Sequence, residues 1–272
     1  MPQNENILVS KRIVITGACS GLGLALSKAF TASGHRVAML DLKANSEAIA
    51  EVTAKGNSPL FIEMDVSDSG AWSKLRDLIC ETWGGLDILI NNAGIGDAGT
   101  IFTINESRWK RILEINIMGV VLGTAEMAPL MRDQKKGHVV NIASMAGLFA
   151  MPTMMAYNVS KAGVVSFSET LASELHPHGI QVSCVCPHFF KTNIGNSMAD
   201  HASPKTVAFL KRQMDHAKVS ADEVAQTVID GIKRKDFLIF THPGTRRQWL
   251  FKRLFPGRVL SQAKAAAAKI LK

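Results

Sequence analysis

The feature that most constrains this chain is an alternation. Short apolar, β-branched runs recur along it, and segments with helical length and spacing lie between them. The runs cover residues 11–16, 35–40, 59–64, 86–91, 138–143, 180–186 and 237–240. The helical segments cover 21–33, 44–55, 69–83, 105–132, 157–176 and 220–233. Strand and helix in turn predict βαβ units, and hence a parallel sheet. The runs are almost continuously apolar rather than alternating, which predicts helices over both faces. The expected fold is α/β: three layers around a doubly wound, Rossmann-type parallel sheet of about seven strands.

A length of 272 residues with 47% hydrophobic side chains suits one large α/β domain. No repeat or linker interrupts it before about residue 241. Residues 1–240 are therefore expected to form the main α/β domain, and 241–272 a basic helical extension. From Thr241 onward there are eight basic residues (Arg246, Arg247, Lys252, Arg253, Arg258, Lys264, Lys269 and Lys272) and no acid. That stretch accounts for the whole net charge of +8. Trp249, Leu250, Phe251, Leu254 and Phe255 interleave with the charges. Pro256-Gly257 divides the extension, and Ala265 to Ala268 favour helix in its second half. Such a segment can pack over the pocket or a neighbouring subunit, or lie as a peripheral contact on an anionic membrane. It carries no recognised nucleic-acid motif, so nucleic acid is not an expected partner.

Residues 1–12 lack the charged and apolar regions of a signal peptide. No apolar run approaches the roughly 18 residues of a membrane span. Cys19, Cys80, Cys184 and Cys186 match neither a metal pair nor a disulfide framework, so buried reduced thiols, no metal and a cytoplasmic setting are expected.

The first run leads into Thr16-Gly17-Ala18-Cys19-Ser20-Gly21-Leu22-Gly23. A strand, a glycine-rich turn and a helix N-terminus form a seat for a dinucleotide pyrophosphate, because backbone N–H groups and the helix dipole face the anion. The spacing is GxxxGxG, not the strict GxGxxG. Asp41 closes the second run, where an acid suits a ribose hydroxyl pair and repels a 2′-phosphate. It would equally serve as an acid near a helix N-terminus. Asn91-Asn92-Ala93-Gly94 follows the fourth run, either as an ordinary turn or as a close backbone approach to a ligand.

Tyr157, the only tyrosine, and Lys161 stand four apart on a predicted helix and share one face. A cation beside a phenol favours phenolate, as a proton-exchanging group needs. Ser144 ends the fifth run thirteen residues earlier, at the sheet edge where ligands bind in such folds. Asn116 falls in the helix after the fourth run.

Taken in order, TGACSGLG, Asp65-Val66, NNAG, Asn116, Ser144 and YNVSK resemble the short-chain dehydrogenase/reductase family in its compact single-domain form, over about residues 10–240. The resemblance implies that Gly17, Ser20, Gly21, Leu22 and Gly23 meet the cofactor diphosphate. It implies that Asp65 and Val66 meet the adenine, and that Asn92, Ala93 and Gly94 back the cofactor. Tyr157 would exchange the proton, and Lys161 would hold the nicotinamide ribose. Ser144 would bind the substrate oxygen, and Asn116 would hold a relay water. Pro187, Phe190 and Thr192 are the expected contacts beyond the sixth run. His188 departs from the glycine common there, with a second acid/base role as a minor alternative.

The reaction implied is hydride transfer at a carbinol or carbonyl carbon, with NAD(H) preferred and NADP(H) possible. Met145, Leu148, Phe149, Met151, Met154 and Met155 point to a hydrophobic alcohol or ketone, or else to core packing. Residues 189–218 are expected to cover the site. A homodimer or homotetramer is expected, and a catalytically silent nucleotide-binding protein is the alternative function.

Overall fold

A computed structural model describes residues 10–190 and 204–271. Its centre is one sheet of seven parallel strands in the order β3-β2-β1-β4-β5-β6-β7. They are β1 Arg12–Thr16, β2 Arg36–Asp41, β3 Leu60–Glu63, β4 Ile88–Asn91, β5 Gly137–Ile142, β6 Ile180–Cys186 and β7 Leu238–Phe240. The order reverses between β1 and β4, and that switch point opens a crevice at the C-terminal strand ends.

Residues 3.3 Å apart along a strand point to opposite faces, and β1 shows the result. Ile13 and Ile15 enter one core with Leu26, Phe30 and Val228, beneath α1 (Gly21–Ala32) and α9 (Ala221–Arg234). Val14 enters the other with Trp72, Met127 and Val182, beneath α3 (Ser69–Trp83), α5 (Gly119–Asp133) and α7 (Met155–Leu175). Trp72 is fully buried, and burial of a large apolar side chain contributes about 1.5–3 kcal/mol. Its indole N–H also donates to the Val66 carbonyl at 2.8 Å, which fixes the loop after β3. α2 (Ser46–Thr53) is capped by Asn45 and α9 by a Ser220–Glu223 capping box.

The expected helix over 105–132 is one continuous helical stretch with three parts: α4 (Glu106–Leu113), a π turn at Glu114–Met118, and α5. Apolar periodicity does not signal a π turn. This stretch, Glu106–Asp133, is also long and apolar enough to cross a membrane, against the expectation from run length. It is a core helix here, with Ile112, Val120, Met127 and Met131 buried. A short α6 (Met145–Leu148) precedes α7, and α8 is Pro204–Asp215. Residues 191–203 of the expected cover, Thr192 among them, lie outside the described residues. Cys19, Cys184 and Cys186 are buried and unbridged as expected; Cys80 is exposed, because it falls on the outer face of α3. After β7 come α10 (Thr245–Leu254) and α11 (Pro256–Ile270).

Candidate active site

A cavity of about 340 Å³ occupies the switch-point crevice. One arm is the glycine-rich turn. Gly17 and Gly21 have φ of +62° and +50°, a region costly for side chains with a Cβ. At Gly23 a Cβ would sit 2.1 Å from the Gly17 carbonyl oxygen and 2.7 Å from Asn92 Nδ2. Asn92 explains the close fit. Its Nδ2 donates to the carbonyls of Thr16 (2.8 Å) and Gly17 (3.1 Å), while the N–H groups of Asn92 and Ala93 donate to Thr16 Oγ1. Asn92 therefore clamps the β4 loop to the β1 turn.

Asp41 stands at the end of β2 on the cavity wall. Its Oδ2 accepts from the Cys19 N–H at 2.9 Å and its Oδ1 from that of Leu42 at 2.8 Å. Asp65 accepts from the Ser67 N–H and hydroxyl and from Arg111. Partial burial would raise its pKa, but the Ser67 and Arg111 contacts outweigh this and hold the carboxyl below its usual range.

At the other arm, Tyr157 is in the first turn of α7 and 8% exposed. Ser144 caps α6, accepting from the Ala146 N–H at 3.1 Å, and lies against Tyr157. The expected lysine-driven fall in the Tyr157 pKa is not found. Burial dominates and raises it, and a hydrogen bond from the Ser144 hydroxyl pulls the other way. Lys161 Nζ is 5.9 Å from the ring centroid and donates to the Ile142 carbonyl at 2.8 Å.

Lys161 is 3% exposed, and burial lowers its pKa from 10.5 to about 8. Below about pH 8 the folded protein bears the full cost of a buried ammonium. Between about 8 and 10.5 the unfolded chain binds more protons than the folded one, so stability rises with pH. We expect Lys161→Met to remove that rise in urea unfolding of the cofactor-free protein. A variant with the wild-type slope would refute the assignment.

Asn116 is fully buried in the π turn. Its Oδ1 accepts from the Ile95 N–H, and its Nδ2 donates to the Ile95 carbonyl and to Ser160 Oγ, at 2.9–3.0 Å. Both side-chain polar atoms are thus engaged by protein. The side chain therefore acts on position, tying the π turn to the β4 loop and to α7.

The apolar end of the cavity is lined by Ile95, Met145, Ala146, Met151, Met154, Phe189 and Met214. Of the six residues expected there, Met145, Met151 and Met154 line the cavity. Leu148 and Phe149 instead pack in the core beside Val120, and Met155 is 39% exposed. His188 stands at the mouth, edge-on to Phe189 at 5.2 Å.

The remaining expected residues, Gly17, Ser20, Gly21, Leu22, Asp41, Asp65, Val66, Asn92, Ala93, Gly94, Ser144, Tyr157, Lys161, Pro187 and Phe190, all line this one cavity. Gly23 and Asn116 stand behind its wall. Three supporting groups were not anticipated: the Thr16 hydroxyl, the Ser160 hydroxyl and the Ile142 carbonyl. Thr16 and Ser160 belong to the TG and YNVSK motifs, but the roles depend on distant partners.

A glycine-lined crevice at a switch point, joined to a serine, a tyrosine and a buried lysine, defines a nicotinamide-dependent oxidoreductase on a doubly wound sheet. The short chain dehydrogenase family model matches residues 11–203, and the chain belongs to the short-chain dehydrogenase/reductase family of NAD(P)-dependent enzymes. It is 35% identical over 192 residues to 2-(R)-hydroxypropyl-CoM dehydrogenase of Xanthobacter autotrophicus, covering 68% of this chain and 76% of that protein. It is 30% identical over 194 residues to a 3-oxoacyl-(acyl-carrier-protein) reductase of Synechocystis, covering 70% and 78%. Among solved structures, a short chain dehydrogenase/reductase from Burkholderia phymatum in complex with NAD matches with a TM-score of 0.85 and 30% identity, over 91% of this chain and 94% of that one.

Proposed function

We propose that this enzyme interconverts a hydrophobic secondary alcohol and its ketone, with NAD(H) preferred and Tyr157 as the acid/base. The observation that carries the reading is the convergence of Ser144, Tyr157 and Lys161 on an apolar pocket continuous with the glycine-rich turn. The bound nicotinamide supplies the hydride donor or acceptor. Tyr157 exchanges the proton with the substrate oxygen, and Ser144 donates a hydrogen bond to that oxygen. Lys161 holds the nicotinamide ribose, and Gly94, beside Lys161 Nζ and Asn116 Oδ1, leaves room for the cofactor to approach. The oxoacyl and hydroxypropyl groups in the names of the two relatives support carbonyl–carbinol chemistry. We take residues 1–240 as the catalytic unit and 241–272 as an addition to it. The unbridged cysteines support a cytoplasmic setting. No observation favours the silent alternative.

A screen of apolar and polar alcohols and ketones, followed by absorbance of the reduced nicotinamide, tests the reading; turnover confined to polar substrates would overturn it. Cofactor choice is decided by Asp41. A 2′-phosphate near its carboxylate meets like-charge repulsion of about 1–4 kcal/mol, and the neighbouring Ser20 and Leu42 supply no cation. NADH should bind about tenfold or more tighter than NADPH in fluorescence titration, and Asp41→Ala should narrow the gap. Exposed Lys43 reduces the margin. Tighter binding of NADPH by the wild type would reverse this assignment.

A further inference from the structure

α10 has an attached side and an uncovered one. Thr245 is buried, and Trp249 and Lys252 are half-buried against the body. Trp249 packs on Phe240 at 5.7 Å, while Lys252 donates to the Leu148 carbonyl and lies over the Phe149 ring. Opposite, Leu250 and Leu254 are 44% and 72% exposed, flanked by Arg246, Arg247 and Arg253. No residue of α11 is buried. At helical spacing Val259, Leu260, Ala263, Ala267 and Ile270 form its apolar stripe, with Arg258, Lys264 and Lys269 on the remaining surface. Among the described residues no salt bridge includes a residue beyond Asp236, so these cations are not neutralised by protein.

The helix pair adjoins the pocket entrance. His242, at its root, accepts from the His188 N–H at 3.3 Å, and its Nε2 is 3.1 Å from the Phe189 carbonyl. Lys252 holds the end of α6, the helix that Ser144 caps.

We propose that α10 and α11 form a docking surface for an anionic phospholipid bilayer. Leu250, Leu254 and Leu260 enter the boundary between headgroups and acyl chains, and the surrounding arginines and lysines meet the lipid phosphates. A twofold axis through this patch would lay it on itself and set cation against cation, whereas anionic headgroups complement its charge. Docking brings the entrance to the membrane, so an apolar alcohol or ketone enters from the bilayer. That last step rests on the substrate reading above, whereas the docking does not.

The test sediments the full chain with vesicles of phosphatidylcholine and phosphatidylglycerol, and with vesicles of phosphatidylcholine alone. Binding is expected only to the anionic vesicles and should fall with added salt, which screens charges over about 8–10 Å. Arg246→Glu with Arg247→Glu should weaken it by about tenfold or more, and Leu250→Asn with Leu254→Asn should weaken it comparably. All four side chains are exposed, so circular dichroism should be unchanged. Absence of wild-type binding, equal binding to neutral vesicles, or full binding by both variants would overturn the proposal. So would a self-association that the leucine variant abolishes in a protein that ignores vesicles. Turnover of a water-soluble alcohol should be equal in all forms, and only turnover of a vesicle-borne apolar substrate should fall in the variants. If vesicles bind but only polar substrates turn over, docking stands and the substrate reading fails.

Discussion

Replacing Tyr157 with Phe should lower turnover by about 10²–10⁴-fold, the range typical for loss of a positioned acid/base. The substitution removes one oxygen and keeps the ring, which is 8% exposed and packed with Met154, Ala156 and Met214. Stability and NADH binding should therefore change little, and steady-state kinetics beside a cofactor titration separate the effects. The raised phenol pKa sharpens the expectation. A neutral Tyr157 is a ready donor in the reducing direction, while oxidation needs the phenolate and should gain more from rising pH. Turnover of the variant within a few-fold of wild type would show that the proton travels by another group.

The second large effect is expected from Gly23→Ala. The new methyl would lie 2.1 Å from the Gly17 carbonyl oxygen, a backbone atom that cannot rotate away. Something must move, and the available movement separates the β1 turn from Asn92. Overpacking of this kind costs about 1–3 kcal/mol, or roughly 2–10 °C in melting temperature for a chain of this size. The functional loss should exceed the stability loss if, as proposed, the displaced turn seats the cofactor diphosphate. Calorimetry and NADH titration read the two separately. Wild-type affinity in a folded Gly23→Ala protein would remove the turn from the cofactor site.

The inner strands were legible because they are buried on both faces, and a buried strand must be written as an apolar run; the edge strands β3 and β7 are only partly buried, but their runs are apolar as well. All seven fall where the runs are, with ends within a residue or two. Helix boundaries were also close, although α7 begins at Met155 rather than Tyr157. Positions in the site were legible for a related reason. Glycines at positive φ and a tyrosine four residues from a lysine are local patterns. What those groups bond to was not legible. The Asn92 amide read as open to either backbone or cofactor and Asn116 as a holder of a relay water or a packed polar group, and both spend their side-chain donors on backbone or on Ser160. Lys161 read as a partner of the phenol, yet its ammonium is anchored on β5. Each partner is 19 to 76 residues away in sequence, so only the folded chain brings them together. The extension was ambiguous because α10 mixes an attached and an uncovered side within ten residues.

The bonds of Asn92, Asn116 and Lys161 join end to end. They run from the β1 turn through the β4 loop and the π turn to α7 and the end of β5. Met151, Met154 and Met214 line the apolar end of the cavity without joining this series through their side chains. Exchange of one such apolar side chain for another of similar volume usually costs less than about 1.5 kcal/mol. Loss of a buried hydrogen-bond partner costs about 1–3 kcal/mol and leaves its mate unsatisfied. Divergence of this lineage should therefore be uneven. Substitutions can accumulate on one wall of the cavity, while the hydrogen-bonded frame behind the glycine-rich turn and α7 resists change.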